Sequence, residues 1–399
     1  MKKYLPFIFL LSISVHSLAQ GPEVTSWLIN TTSATGYNGI PSNVQQVQYS
    51  TLNVYVSCTC IPAYNIGPWA GNPNVATNQN FVFKITRNPQ QNVGTPTAVG
   101  LGHIGVWTNG VSIFNVDDGQ SYNNQNIWNR NAYFWEGSGF DNCLGHPQQN
   151  GEYHHHVSPK CLYDETDSTA HSPIIGYAFD GFPVYGAYAY TNTNGTGPIK
   201  RMQTSYTVST ATTRTNGPNV NATYPAGCFI EDYVYVAGSG DLDARNGRFC
   251  VTPEYPQGTY AYFVTLDAAL DPVFPYTFFG TYYGVVQAGN TGPNSGHNVP
   301  SESVTTYLPT GMNEIENNIE FMVYPNPATD FVAMFISPSA MNNSKAVLSN
   351  ALGQKIFEQD LIQPAITYYF DLRNVKAGVY SLTVQNGSTV ATKKIVVQK

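Results

Sequence analysis

Charge is what this sequence has least of. Only 11% of its 399 residues are Asp, Glu, Lys or Arg, and 25 acidic residues outnumber 18 basic ones, for a formal net charge of −7. A nucleic-acid binder needs a basic surface to neutralise phosphates, so that class is excluded. Long apolar runs are missing too. Beyond the N-terminal stretch nothing is long enough to cross a membrane as a helix, and no sustained 3.6-residue apolar period appears. What is present instead is Gly (35), Pro (26) and Tyr (28), with Asn and Thr throughout. Turn residues punctuating short alternating runs predict a mainly β, loop-rich fold.

The length exceeds one ordinary domain. Met1-Lys2-Lys3, the apolar stretch from Leu5 to Val15, and Ser17-Leu18-Ala19 predict a signal peptide over residues 1–19. The chain is then exported, with no transmembrane segment once the leader is removed. A large β-rich domain is expected over 20–287. Residues 288–320 contain Gly, Asn, Ser and Pro without apolar period and read as a linker. Several short strands in residues 321–399 predict a small C-terminal β-sandwich.

Six cysteines in an exported chain point to disulfides. Cys143 with Cys161, and Cys228 with Cys250, each close a short local loop and are the expected bonds. Cys58 and Cys60 remain unassigned, with disulfide use favoured over metal binding.

The chemistry concentrates in one stretch. Four of eight histidines lie between positions 146 and 156. If residues 153–157 form a strand, side chains alternate between faces, so His154 and His156 point one way and Tyr153, His155 and Val157 the other. Two imidazoles on one face can grip a divalent metal. His146, behind a Pro-Gln-Gln-Asn-Gly turn, offers a third nitrogen, and His171 and Asp180 are further candidate ligands. His103 reads as structural. The aromatic group Trp128, Tyr133, Phe134, Trp135 and Phe140 reads as core around a site rather than a sugar-binding platform. Asp241 and Asp243 begin like a calcium loop, but the glycine falls one place late and Thr252 occupies the twelfth position, which argues against an EF-hand.

Residues 145–156, 171–186 and 231–263, with Gly151-Glu152-Tyr153-His154-His155-His156 at their centre, resemble the YHYH-domain family of exported proteins. His154 and His156 fall on the family histidines, while His155 replaces the family's second tyrosine. That resemblance implies a fold relative and no settled reaction. Val323-Tyr324-Pro325-Asn326-Pro327-Ala328-Thr329-Asp330, Asn350-Ala351-Leu352-Gly353-Gln354 and 372–380 resemble the type A sorting domain of the Bacteroidetes type IX secretion system. It implies that secretion machinery as a partner, and release or attachment at the outer cell surface.

The expectation is therefore a secreted or surface protein that binds zinc, copper or iron through His146, His154, His156, His171 and Asp180, with metal-dependent hydrolysis as the accompanying chemistry. The sequence leaves open whether it is an enzyme. The alternative is a surface module that binds glycans without catalysis.

Overall fold

A computed structural model describes residues 20–292, 294–309, 321–336, 344–350, 353–361, 367–386 and 389–399, so the expected signal peptide lies outside the described residues. The fold is mainly β, and the chain divides into two compact units, Met1–Leu308 and Pro309–Lys399.

The first unit is built on an eight-stranded mixed sheet. Its strands run in the order Gly247–Cys250, Thr259–Phe263, Pro183–Tyr185, Ile174–Ala178, His103–Trp107, Ser112–Phe114, Tyr153–His155 and His146–Pro147. Most neighbours are antiparallel, but Pro183–Tyr185 with Thr259–Phe263, and Ser112–Phe114 with Tyr153–His155, pair in parallel. The central strands are buried throughout, which is why Ile174–Ala178 and Thr259–Phe263 read as continuous apolar and aromatic runs rather than alternating ones. Close approach of backbones is needed at Gly176: a Cβ there would lie 2.8 Å from both the Trp107 ring and the Val106 carbonyl oxygen.

Against this lies a four-stranded sheet ordered Thr305–Thr306, Val44–Tyr49, Asn53–Cys58 and Phe81–Thr86. Val44, Val47, Val54, Val56, Phe83 and Ile85 contribute to one buried cluster that also contains Trp107, Ile113, Tyr153 and Tyr177. The hairpin around Asn109-Gly110 is present, but its turn is wider than two residues. Gly110 N–H donates to the Trp107 carbonyl and Trp107 N–H to that of Val111, with positive φ at Gly110 (82°).

Two expectations need correction here. Residues 289–307 are not a free linker. Thr305–Thr306 pairs with Val44–Tyr49, buried Asn290 exchanges hydrogen bonds with the Lys84 backbone, and Glu302 accepts from Asn53 and Tyr55. Glycines at 289, 292 and 296 serve turns with positive φ rather than flexibility. Second, Cys143 and Cys161 form a disulfide, but Cys228 and Cys250 are separate buried thiols. Cys228 sits beside the Arg214 guanidinium, while Cys250 ends a sheet strand opposite Thr259. A short intervening loop does not by itself aim two Cβ atoms at each other. Consistent with the reading against an EF-hand, Asp241 pairs with Lys200, and Asp243 accepts from the backbone of Arg245 and Gly247, so the Asp-x-Asp pattern shapes a turn.

The second unit places a three-stranded sheet (Phe321–Tyr324, Phe331–Ile336, Thr367–Asp371) and a four-stranded one (Lys355–Leu361, Ser344–Asn350, Gly378–Asn386, Thr389–Val397) around one core. Val332, Met334, Leu348, Leu382 and Ile395 fill it.

Candidate metal centre

The edge of the large sheet brings three histidines together. Tyr153–His155 pairs with His146–Pro147 so that His146 stands directly across from His154. Cross-strand partners share a face, and strand alternation adds His156. The imidazole centroids are 4.6 Å apart for His146 and His154, 4.8 Å for His154 and His156, and 5.7 Å for His146 and His156. One ring nitrogen from each lies within 4.8 Å of the others, and all three side chains are buried. His155 points to the opposite face, edge-on to Tyr153 and Trp107.

Hydrogen bonds fix which nitrogens are free. His154 Nδ1 lies 3.0 Å from the Glu152 carbonyl oxygen, and His156 Nδ1 contacts the Asn115 carbonyl oxygen. A carbonyl only accepts, so each Nδ1 carries a hydrogen. In the neutral rings both Nε2 lone pairs are then exposed, and those two atoms face each other at 3.1 Å. Two lone pairs at that distance repel unless a cation or a shared proton lies between them. The Asn115 carbonyl is itself held in place, because its side chain donates to the carbonyls of Val99 and Gly100.

Glu136 completes the surroundings. Asn131 caps the short helix Ala132–Glu136 by accepting from the Tyr133 N–H, and the helix delivers Glu136 at its end. Glu136 Oε2 lies 3.2 Å from His156 Nε2 and 3.5 Å from His146 Nε2. Glu136 Oε2 and His146 Nε2 are both buried without a hydrogen-bond partner. The contact of Asn72 Nδ2 with His146 Nδ1 is 3.4 Å, too long to fix that ring's tautomer. Phe114 stacks on His154 at 3.7 Å, and Phe140 meets the ring of His146 edge-on.

Electrostatics favour the neutral form of His146 and His154. Burial, with repulsion from His156, brings His146 down to about 4 against an opposing pull from Glu136. Burial, then His146 and His156, hold His154 well below the usual histidine value. Burial opposes ionisation of Glu136, but the proximity of His156, then His146, brings its pKa below the ordinary one. Imidazole nitrogens beside a carboxylate form a donor set that suits a divalent transition metal.

The cluster opens into a cleft of about 830 Å³ whose walls include Phe114, Asp117, Asp118, Trp135 and Gln148. Two expected ligands are elsewhere. His171 contacts the Ser172 carbonyl and packs among Tyr185, Tyr190 and Phe263. Asp180 is fully buried, accepting from Tyr262 Oη and the backbone of Phe182 and Gly284. Neither belongs to the histidine group. Sequence reasoning missed Glu136, although it lies inside the aromatic stretch read as core around a site.

Residues 82–277 match the family model of YHYH proteins, and residues 322–398 match that of the secretion system C-terminal sorting domain. No curated protein matches the chain.

Proposed function

We propose that this chain, whose central unit is a YHYH domain and whose sorting tail directs it through the type IX route to secretion and the outer cell surface, binds a divalent transition metal through His146, His154 and His156. The observation that carries the reading is the 3.1 Å approach of two Nε2 atoms whose rings have both committed Nδ1–H to backbone carbonyls. Two metal–imidazole bonds of about 2.0–2.1 Å at a tetrahedral angle place their nitrogens about 3.3 Å apart, so small ring movements suffice. Nitrogen donors of this kind suit zinc, copper or iron.

Three protein ligands facing a cleft is the pattern of a reactive rather than a purely structural centre. A metal held there would acidify water and polarise a substrate oxygen. The chain's own contribution is a proton acceptor, Glu136 Oε2, and a wall of aromatic rings that limits solvent around the histidines. These features support metal-dependent hydrolysis as the reaction.

The test is metal analysis of the full chain after reconstitution with zinc and removal of excess. Wild type retains one equivalent, and the His154→Ala/His156→Ala double variant retains none while keeping its near-ultraviolet dichroism. A folded wild type that retains no metal overturns the reading. If the pair shares a proton instead, nitrogen NMR of that protein shows an imidazolium at neutral pH.

A further inference from the structure

The cleft above the histidines is chemically one-sided. None of the described residues lining it is Lys or Arg, while Asp117, Asp118 and Glu136 all face it. Besides Ser138 and the three histidines, the remaining polar lining is mostly carboxamide, including Asn72, Asn74, Gln148 and Gln149. Several amide hydrogens are already spent within the protein. Asn72 and Asn74 Nδ2 donate to the Pro147 carbonyl, and Gln148 Nε2 donates to Glu152. Asp117 and Asp118 each use Oδ1 to accept from their own turn, at Gly119 and Gln120. Among the described residues no hydrogen bond engages Asn74 Oδ1, Gln148 Oε1 or Asp117 Oδ2. The lining therefore presents several unengaged oxygen acceptors, and its three carboxylates have a cation beside Asp118, whose Oδ2 lies 3.9 Å from Arg130 Nη1, which leaves the cleft net negative.

We infer that the cleft takes an uncharged, hydroxyl-rich ligand, an oligosaccharide segment in chemical class, and that Asp117 and Asp118 exclude anionic chains. Hydroxyls supply the donors that the spare oxygens lack. The volume of about 830 Å³ lies toward the upper end for ligand pockets, which suits a short oligomer better than a single small molecule. A carboxylate-bearing chain would bring like charge against two aspartates in a partly desolvated space, where repulsion is stronger than in water. Asp117 lines the same cleft as His156 and Glu136, so the filter stands beside the histidines. The inference rests on the metal reading only for what the ligand meets at the base of the cleft. The acceptor-rich walls are independent of it.

Calorimetric titration of the full chain, metal-free and zinc-loaded, tests this with cello-, xylo- and maltohexaose as neutral probes. Hexagalacturonate is the anionic probe and the glucosamine hexamer the cationic one. At least one neutral hexamer binds at least tenfold tighter than hexagalacturonate. In Asp117→Asn/Asp118→Asn, which keeps both turn-forming Oδ1 atoms, that ratio falls at least tenfold because the anion gains affinity. Equal or tighter binding of hexagalacturonate by wild type overturns the inference. So does tighter binding of the cationic hexamer than of every neutral one, or no neutral binding below millimolar concentration. Loss of the metal reading appears separately, as identical titrations with and without zinc.

Discussion

Tyr153 donates its hydroxyl to the Asp141 carboxylate, 3.0 Å from Oδ2 and 3.2 Å from Oδ1, on the face of the strand opposite His154 and His156. Asp141 also accepts from the backbone of Gly67, Cys143 and Gly145 and from the Trp69 indole. One buried carboxylate thus ties the histidine strand to its turn and to a distant loop. The turn must come close: a Cβ on Gly145 would lie 2.3 Å from Tyr153 Oη. Asp141→Asn turns one acceptor oxygen into a donor facing other donors, and each unmet buried partner costs about 1–3 kcal/mol. Urea denaturation is expected to show a loss of at least about 2 kcal/mol, with Tyr153→Phe losing less.

Glu136 separates positioning from ligation. Glu136→Gln keeps the three imidazoles, so about one zinc per chain remains, with affinity lower by roughly tenfold as for other groups beside a metal. Any hydrolysis falls by roughly a hundredfold or more, the usual contribution of a proton acceptor. Chelator competition and turnover read the two effects independently. Total loss of metal in this variant would make Glu136 a ligand.

His155 is fully buried, and neither ring nitrogen has a hydrogen-bond partner. The Cys143 backbone is near enough to act on the ring, but burial dominates and brings its pKa down to about 3. An apolar ring of similar size removes two unmet polar atoms. His155→Phe is expected to retain metal and to match or exceed wild-type stability by about 1 kcal/mol. His155→Ala opens a cavity and loses about 2–4 kcal/mol. Thermal unfolding with metal analysis checks both.

Thiol mapping tests the cysteine assignment. Non-reduced peptides should contain a Cys143–Cys161 link. Cys58, Cys60, Cys228 and Cys250 are buried, and should alkylate only after denaturation. Replacing Cys143 and Cys161 with serine should cost about 3 kcal/mol, the loop-entropy value for a ring of this size.

Asp180 predicts a pH dependence of opposite sign to most carboxylates. Burial raises it to about 6, against hydrogen bonds from Tyr262, Gly284 and Phe182 that favour the charge. A raised carboxyl contributes fully below its unfolded value near 4, and that contribution is lost as pH rises through about 6. The change is on the order of 3 kcal/mol. Asp180→Asn lacks this titration, so its stability deficit relative to wild type should narrow between pH 4 and 6.5 in urea midpoints. A gap that widens over that window contradicts the assignment.

The sequence showed the site where one local rule governed it. Alternation along a strand set His154 and His156 together and turned His155 away, and a tight turn returned His146 to face them. The β-sandwich tail and the Cys143–Cys161 bond were legible for similar reasons of periodicity and loop length. His171 was misplaced because proximity in sequence says little once a chain enters another strand. Glu136 was invisible because a one-turn helix has no period to detect, and its value depends on what it folds over. The Asn115 carbonyl had no signature at all, since every residue has one. Gly and Asn suggested slack in residues 288–307, where they supply turns for a segment packed on a sheet.

Glu136 and the three histidines all come from residues 136–156, yet that segment is not a self-sufficient module. His156 is aimed by the Asn115 carbonyl, and the strand is held in parallel register by Ser112 and Ile113. A peptide spanning 136–156 would carry every side chain of the centre but not its preorganisation, and should bind metal as a flexible histidine-rich peptide does. Transplanting the site to another scaffold therefore means moving two non-adjacent pieces of chain and their register, a constraint on both engineering and inheritance.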